Sequence, residues 1–433
     1  MIAMGSLAPS VSMSMAPLGV WYLAGNGTWL VFVLTIVCML GVAICIAAFA
    51  RRIVGTGSIY SYAGHVFGRP GRVFLGACLV GGWGCLLLIS VPMLVLYGSP
   101  FMIAIGGPAA GGDLAQLVVT GAVMLFGCLL AIRGLAASVR VMYVVVGVSM
   151  PLAGALLIAA ALNSGVDLGA QLSLQGVSVS SIARGLPLGF ALLLGFEGSA
   201  ALAYETRDPR RWMPRIMYGL LLAFFLVFLV GTFLQVPVFN AHAADIRAGV
   251  SPLTVLGDAA GAPWLATAAS AALFVALVGG NMGIISVAAR IFGTLALDGL
   301  LPRRLAYVSR RYKTPVVAIV VLATVRWAAP WAVMLASDRT PLDLYVWAGT
   351  LLSFWWVPMY AATCVGATLF LVRLENRIVP LVLAGGIVGC GVTLYTFADS
   401  LINPAAGALR LIPYLFLAML VVLVAGMAIA GRR

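Results

Sequence analysis

Residues 192–214 read LLLGFEGSAALAYETRDPRRWMP. The stretch begins inside an apolar run, sets Glu197 between Phe196 and Gly198, and then gathers Arg207, Arg210 and Arg211 around Asp208-Pro209. Glycines at 195 and 198 weaken a helix interior. The backbone groups freed there give a buried carboxylate a polar setting. The basic cluster that follows marks the cytoplasmic end of a membrane span.

Working outward, the composition agrees with a membrane setting. Of 433 residues, 63% are hydrophobic and 9% charged, whereas soluble domains hold roughly 45–50% apolar and about 25% charged residues. Mean hydropathy is +1.13. The 50 glycines suit close helix approach in lipid. A net charge of +13 would suit nucleic acid. The basic residues are instead spread over many short loops, so no nucleic-acid partner is expected.

The seven cysteines all fall in apolar runs and form no CxxC pair, and His65 and His242 both lie in loops. No disulfide framework, metal site or cofactor is implied. Cys38 and Cys45, like Cys78 and Cys85, are seven residues apart and share a helix face, which reads as packing. No Walker-type loop is present, which argues against ATP drive. No constellation of nucleophile, base and metal ligands points to an enzyme. No basic n-region precedes the first apolar run, so no cleavable signal peptide is expected.

A span needs about 20 apolar residues, and about twelve such runs occur: roughly 2–22, 29–50, 73–98, 114–132, 139–162, 184–203, 214–237, 263–291, 314–336, 343–370, 378–397 and 408–430. With the N-terminus inside, the cytoplasmic segments carry Arg51, Arg52, Arg69, Arg72, Arg133, Arg140, Arg207, Arg210, Arg211, Arg215, Arg303, Arg304, Arg310, Arg311, Lys313, Arg373, Arg377, Arg432 and Arg433. The opposite loops hold Arg184, Arg247, Arg339 and Arg410, and Arg290 and Arg326 fall within spans. That alternation predicts both termini in the cytoplasm and a multi-pass protein of the cell membrane.

Two runs are interrupted. The first contains Ala8-Pro9-Ser10 and Ala16-Pro17, and the sixth contains Gly195-Phe196-Glu197-Gly198. Broken spans in corresponding positions of two halves point to a midplane site between inverted repeats. The expected organisation is a first five-helix repeat over 1–162, a second, inverted one over 184–370, and two additional transmembrane helices in 371–433.

At this point the chain resembles the amino acid–polyamine–organocation permeases. GFEGSAALAYETRDPRRWMPRIMYG is similar to that family's sixth-span pattern, GTGSIYSYAGHVFGRPGR to its loop after span two, and NMGIISVAARIFGTLALDGLLPRRLAYVSRRYKTP to its eighth span and following loop. There are departures. The family's first-span Gly-Ser-Gly-Ile-Phe is absent and Ala8-Pro9-Ser10 takes its place, with few residues before it. The span-five lysine of some members is missing, and Ser149 stands near its position. The resemblance implies an all-α polytopic fold of about twelve transmembrane helices. It also implies a leucine-transporter-type five-plus-five repeat.

The function expected is secondary active transport of amino acids or related amines by alternating access, coupled to protons or to a counter-substrate. The alternative is a membrane nutrient receptor of the same fold that binds without net transport. A zwitterion in a dry site needs N–H donors for its carboxylate, as a helix N-terminus offers. Ser10, Val11 and Ser12 are the candidate donors, and Ala8 and Pro9, at the break itself, are substrate-binding candidates beside them. Its ammonium needs carbonyls, for which Gly195, Phe196 and Gly198 are candidates. Asn281, with Ser286, is a candidate from span eight. Glu197 is either a proton carrier or a structural acceptor for the broken helix. Glu205, Arg290 and Asp298 read as an inner-gate network. Tyr60 and Tyr62 read as interfacial anchors. Arg326, near the middle of span nine, has no assigned role. The substrate and the oligomeric state are not legible.

Overall fold

The computed structural model describes residues 9–53, 58–133, 138–165, 168–196, 208–337, 339–376, 378–402 and 407–430. Every regular element among them is helical. Twelve long helices follow one another: α1 (Pro9–Ala24), α2 (Thr28–Ala50), α3 (Ser58–Gly106), α4 (Asp113–Arg133), α5 (Ser138–Ser164), α6 (Val179–Leu192), α7 (Pro209–Ala241), α8 (Pro263–Leu297), α9 (Val316–Ser337), α10 (Pro341–Glu375), α11 (Pro380–Ile402) and α12 (Ile412–Ala430). Prolines open α7, α8, α10 and α11. That position loses nothing by lacking an N–H and gains from a preset φ.

Each apolar run of the sequence therefore corresponds to one helix. Among the described residues, ten stretches are long and apolar enough to cross a membrane. The first, Pro9–Ala50, contains both α1 and α2, separated by the 3-10 turn Gly25–Gly27. The shorter α6 stands apart. The third helix begins well before its apolar run, because Tyr60 to Arg72 continue as helix through a kink at Gly68 (φ 62°) that only glycine adopts easily.

The sidedness of α4 shows what solvent the fold expects. Gln116 and Thr120 are buried, while Leu114 is 75% and Val118 61% exposed. Water would reverse that pattern; lipid does not. On α12, Val421 and Val422 face outward in the same way. The chain is an all-α, multi-pass membrane protein.

The helices group into two compact units, and α2, α3, α7 and α10 each contribute to both. The first comprises Met1–Trp29, Gly84–Val177 and Val227–Ala348. Within it α8 packs against α1, α4, α5 and α9, and α9 packs against α4. Trp331 Nε1 donates to Thr120 Oγ1 at 2.9 Å and Trp327 Nε1 to the Leu117 carbonyl at 3.2 Å, which explains why a polar stripe lines the inner face of α4.

The second unit comprises Leu30–Trp83, Ser178–Leu226 and Gly349–Arg433. Here α2 and α11 cross at glycines. A Cβ on Gly41 would sit 2.5 Å from the Gly385 carbonyl oxygen, and one on Gly385 would sit 2.9 Å from the Gly41 oxygen. Small residues at such a crossing let backbones touch in lipid. The crossing is flanked by thiols: Cys38 Sγ lies 3.5 Å from the Gly389 carbonyl and Cys45 Sγ 3.6 Å from that of Val382. Arg52, just past α2, is ion-paired with Glu375 at the end of α10. Tyr60 and Tyr62 are buried within the protein rather than placed as interfacial anchors. Tyr62 stacks on Phe49 with ring centroids 5.0 Å apart.

Candidate functional site

The first described helix turn, Pro9 to Ser12, belongs to the first unit. Ser10 and Val11 are buried and Ser12 half-buried. Ser10 Oγ lies 2.6 Å from Ser149 Oγ on α5, and Ser14 Oγ donates to the Ser10 carbonyl at 3.2 Å. Two turns on, Pro17 sits inside α1. A proline has no N–H, so the carbonyl four residues back, that of Met13, loses its helical partner. Gln235 of α7 replaces it: its Nε2 donates to the Met13 oxygen at 3.0 Å and to the Gly231 oxygen at 3.0 Å. Gly231 allows the approach, since a Cβ there would lie 2.7 Å from the Met13 oxygen.

The next two carbonyls are also held. Tyr97 Oη donates to the Ser14 oxygen at 2.9 Å and Tyr345 Oη to the Met15 oxygen at 3.2 Å. Three consecutive carbonyls of α1 thus receive side-chain donors from α7, α3 and α10. At its far end, Trp21 Nε1 donates to Asn240 Oδ1 and Tyr22 Oη to Asp343 Oδ1, each at 2.7 Å. The Arg247 guanidinium lies over Tyr22 at 4.8 Å from its ring centre. The sequence held one signal for this bracing: a proline inside an apolar run demands a side-chain donor, and Gln235 is a polar residue in another such run.

The sixth span belongs to the second unit. Its helix α6 starts with a capping box in which Ser178 Oγ accepts from the Ser181 N–H at 3.1 Å and Ser181 Oγ accepts from the Ser178 N–H at 3.2 Å. The helix has 14 residues. At 1.5 Å per residue that is about 21 Å, short of a hydrocarbon core about 30 Å thick. It stops at Leu192, within the apolar run, and Gly195 turns the chain with φ 101°. Phe196 is buried with its ring 6.3 Å from that of Tyr360. Ala8, Glu197, Gly198 and Glu205 lie outside the described residues.

Asn281 is buried in the middle of α8. Its Oδ1 accepts a hydrogen bond from Arg326 Nη2 on α9. Arg326 is only 1% exposed, and among the described residues its Nε and Nη1 have no partner; nor have Asn281 Nδ2 and, five residues along α8, Ser286 Oγ. A central membrane arginine costs about 2.5–3.5 kcal/mol on insertion scales. Hydrogen bonding to one neutral amide offsets a fraction of that. The helix bends the local bonding further, because Pro330 cannot donate to the Arg326 carbonyl. Arg290 and Asp298, also on or capping α8, are both exposed. Ser10 and Asn281 therefore belong to separate pairs within one unit. Among the described residues no three His, Cys, Asp or Glu side chains gather as a metal site would require.

Against known proteins, the family model for amino acid permeases matches residues 1–425. An Arabidopsis thaliana protein named "Cationic amino acid transporter 3, mitochondrial" is 29% identical over 127 residues, which is 29% of this chain and 20% of that protein. A Mycobacterium tuberculosis protein named as an uncharacterized transporter is 30% identical over 226 residues, 51% of this chain and 46% of that one. These matches span less than half the length of either relative. With the family match running almost end to end over a fold of twelve apolar helices, the chain belongs to the amino acid permease family, within the amino acid–polyamine–organocation superfamily.

Proposed function

We propose that the protein is a secondary active transporter, not an enzyme, that moves amino acids or related amines across the cell membrane by alternating access. The observation that carries the reading is a helix of a permease-family chain that ends at Leu192 inside its apolar run and turns at Gly195. Carbonyls released at such an end suit an ammonium. The N–H groups of Ser10, Val11 and Ser12 suit a carboxylate. Glu197 is the proton-coupling group, and Glu205, Arg290 and Asp298 form the inner gate. Asn281 contributes from span eight. The arginine distribution supports cytoplasmic termini, and the two interrupted spans support the five-plus-five repeat.

The test is counterflow of a labelled amino acid mixture into proteoliposomes, run on the wild type and on Glu197→Gln. Accumulation that unlabelled competitors abolish supports transport and names the substrate. Binding without flux makes the protein a receptor. Exchange that survives in Glu197→Gln, while uptake driven by a pH gradient is lost, makes Glu197 the proton carrier; loss of both makes it a brace for the helix end.

A further inference from the structure

Arg326 is a buried cation with no acidic side chain paired to it among the described residues, and its one hydrogen-bond partner is the neutral Asn281. Among the described residues nothing accepts from its Nε and Nη1, or from Asn281 Nδ2 beside it. Every unpartnered group in this pair is an N–H donor, and the net charge is positive. The chemistry that completes such a set is an anion with several acceptor lone pairs. A carboxylate fits better than a spherical ion, because a planar guanidinium presents paired N–H groups at the spacing of two carboxylate oxygens. A cationic ligand would add a second buried positive charge and is excluded from this place.

We propose that Arg326 and Asn281 form a subsite for a ligand carboxylate. Naming that ligand as an amino acid rests on the permease reading; the anion chemistry does not. The backbone carboxylate is already assigned to the N–H groups of Ser10, Val11 and Ser12, so the carboxylate at Arg326 is that of an acidic side chain, and glutamate set against glutamine tests this.

The experiment uses the full chain in lipid nanodiscs, with thermal unfolding read against glutamate, glutamine, arginine and chloride. Glutamate is expected to raise the midpoint of the wild type, and Arg326→Met to weaken its apparent Kd at least tenfold. Glutamate acting alone is the expected result, and glutamine acting as well as glutamate overturns the proposal. Asn281→Asp supplies an internal carboxylate to the same guanidinium. It is expected to raise the ligand-free midpoint and to abolish the glutamate response. The proposal is overturned if arginine stabilises as well as glutamate does, if chloride alone reproduces the shift, or if Arg326→Met binds glutamate as the wild type does. Counterflow run in parallel separates the two readings. Arg326-dependent glutamate binding without exchange of any amino acid upholds the subsite and overturns the permease. Exchange that is unchanged in Arg326→Met, with no Arg326-dependent binding, does the reverse.

Discussion

Ser10 and Ser149 share a hydrogen bond of 2.6 Å that ties the start of α1 to α5. Both side chains are fully buried, so neither has water to fall back on. Side-chain bonds between membrane helices contribute about 0.6 kcal/mol on average, and up to about 1.7. A double-mutant cycle of Ser10→Ala and Ser149→Ala, read by thermal unfolding, should give a coupling of about 0.5–1.5 kcal/mol. Additive single effects would mean that the pair does not hold α1.

Gln235 replaces the donor that Pro17 removes. Gln235→Leu should destabilise by about 1–3 kcal/mol, the cost of a bare buried carbonyl. Pro17→Ala restores the helical N–H. The double variant should therefore lose less than the sum of the two single losses, and thermal unfolding of the four proteins decides it. Gly231→Ala should be worse tolerated than an alanine at a lipid-facing glycine, because its Cβ meets the Met13 oxygen at 2.7 Å.

That pairing also shows what was legible beforehand. Hydrophobic run length located the twelve named helices, because a chain crossing lipid must stay apolar for most of the passage. Gly195 was legible as a break because, with Gly198, it weakens a helix interior, and the structure turns the chain there with φ 101°. The partner of Arg326 was not. Asn281 lies 45 residues away in sequence, and only the packing of α8 on α9 brings the two together. Tyr60 and Tyr62 misled for a related reason: an aromatic near a span end reads alike whether it meets a headgroup or, as Tyr62 does, a Phe49 ring.

Tyr22 donates to Asp343 at 2.7 Å, a bond to a charged acceptor. Tyr22→Phe should cost about 1.5–3 kcal/mol, measured by unfolding in nanodiscs. Asp343 also accepts from Thr340 Oγ1 at 2.9 Å, so Asp343→Asn should cost more than Thr340→Ala. Arg247→Ala, which removes a guanidinium stacked at an exposed position, should cost less than Tyr22→Phe.

Tyr62 gives a pH dependence of definite sign. Burial pushes its hydroxyl from 10.0 up to about 12, so the folded protein favours the neutral form. The stability this contributes is complete below pH 10 and is lost as pH rises toward 12, by about 2 kcal/mol. Unfolding of the wild type between pH 9 and pH 12, compared with Tyr62→Phe, should show a steeper alkaline decline for the wild type. Equal slopes would show that Tyr62 does not titrate with unfolding.

The glycine crossing of α2 and α11 makes the protein its own stopwatch. Cys38 and Cys45 sit along that contact as free, buried thiols, each directed at a carbonyl of α11. In a variant whose other five cysteines are replaced, a maleimide reaches these two only in molecules whose two helices have parted, so the rate of alkylation counts those partings. Gly41→Val would wedge the contact open and speed that count, and a ligand that tightens the fold would slow it.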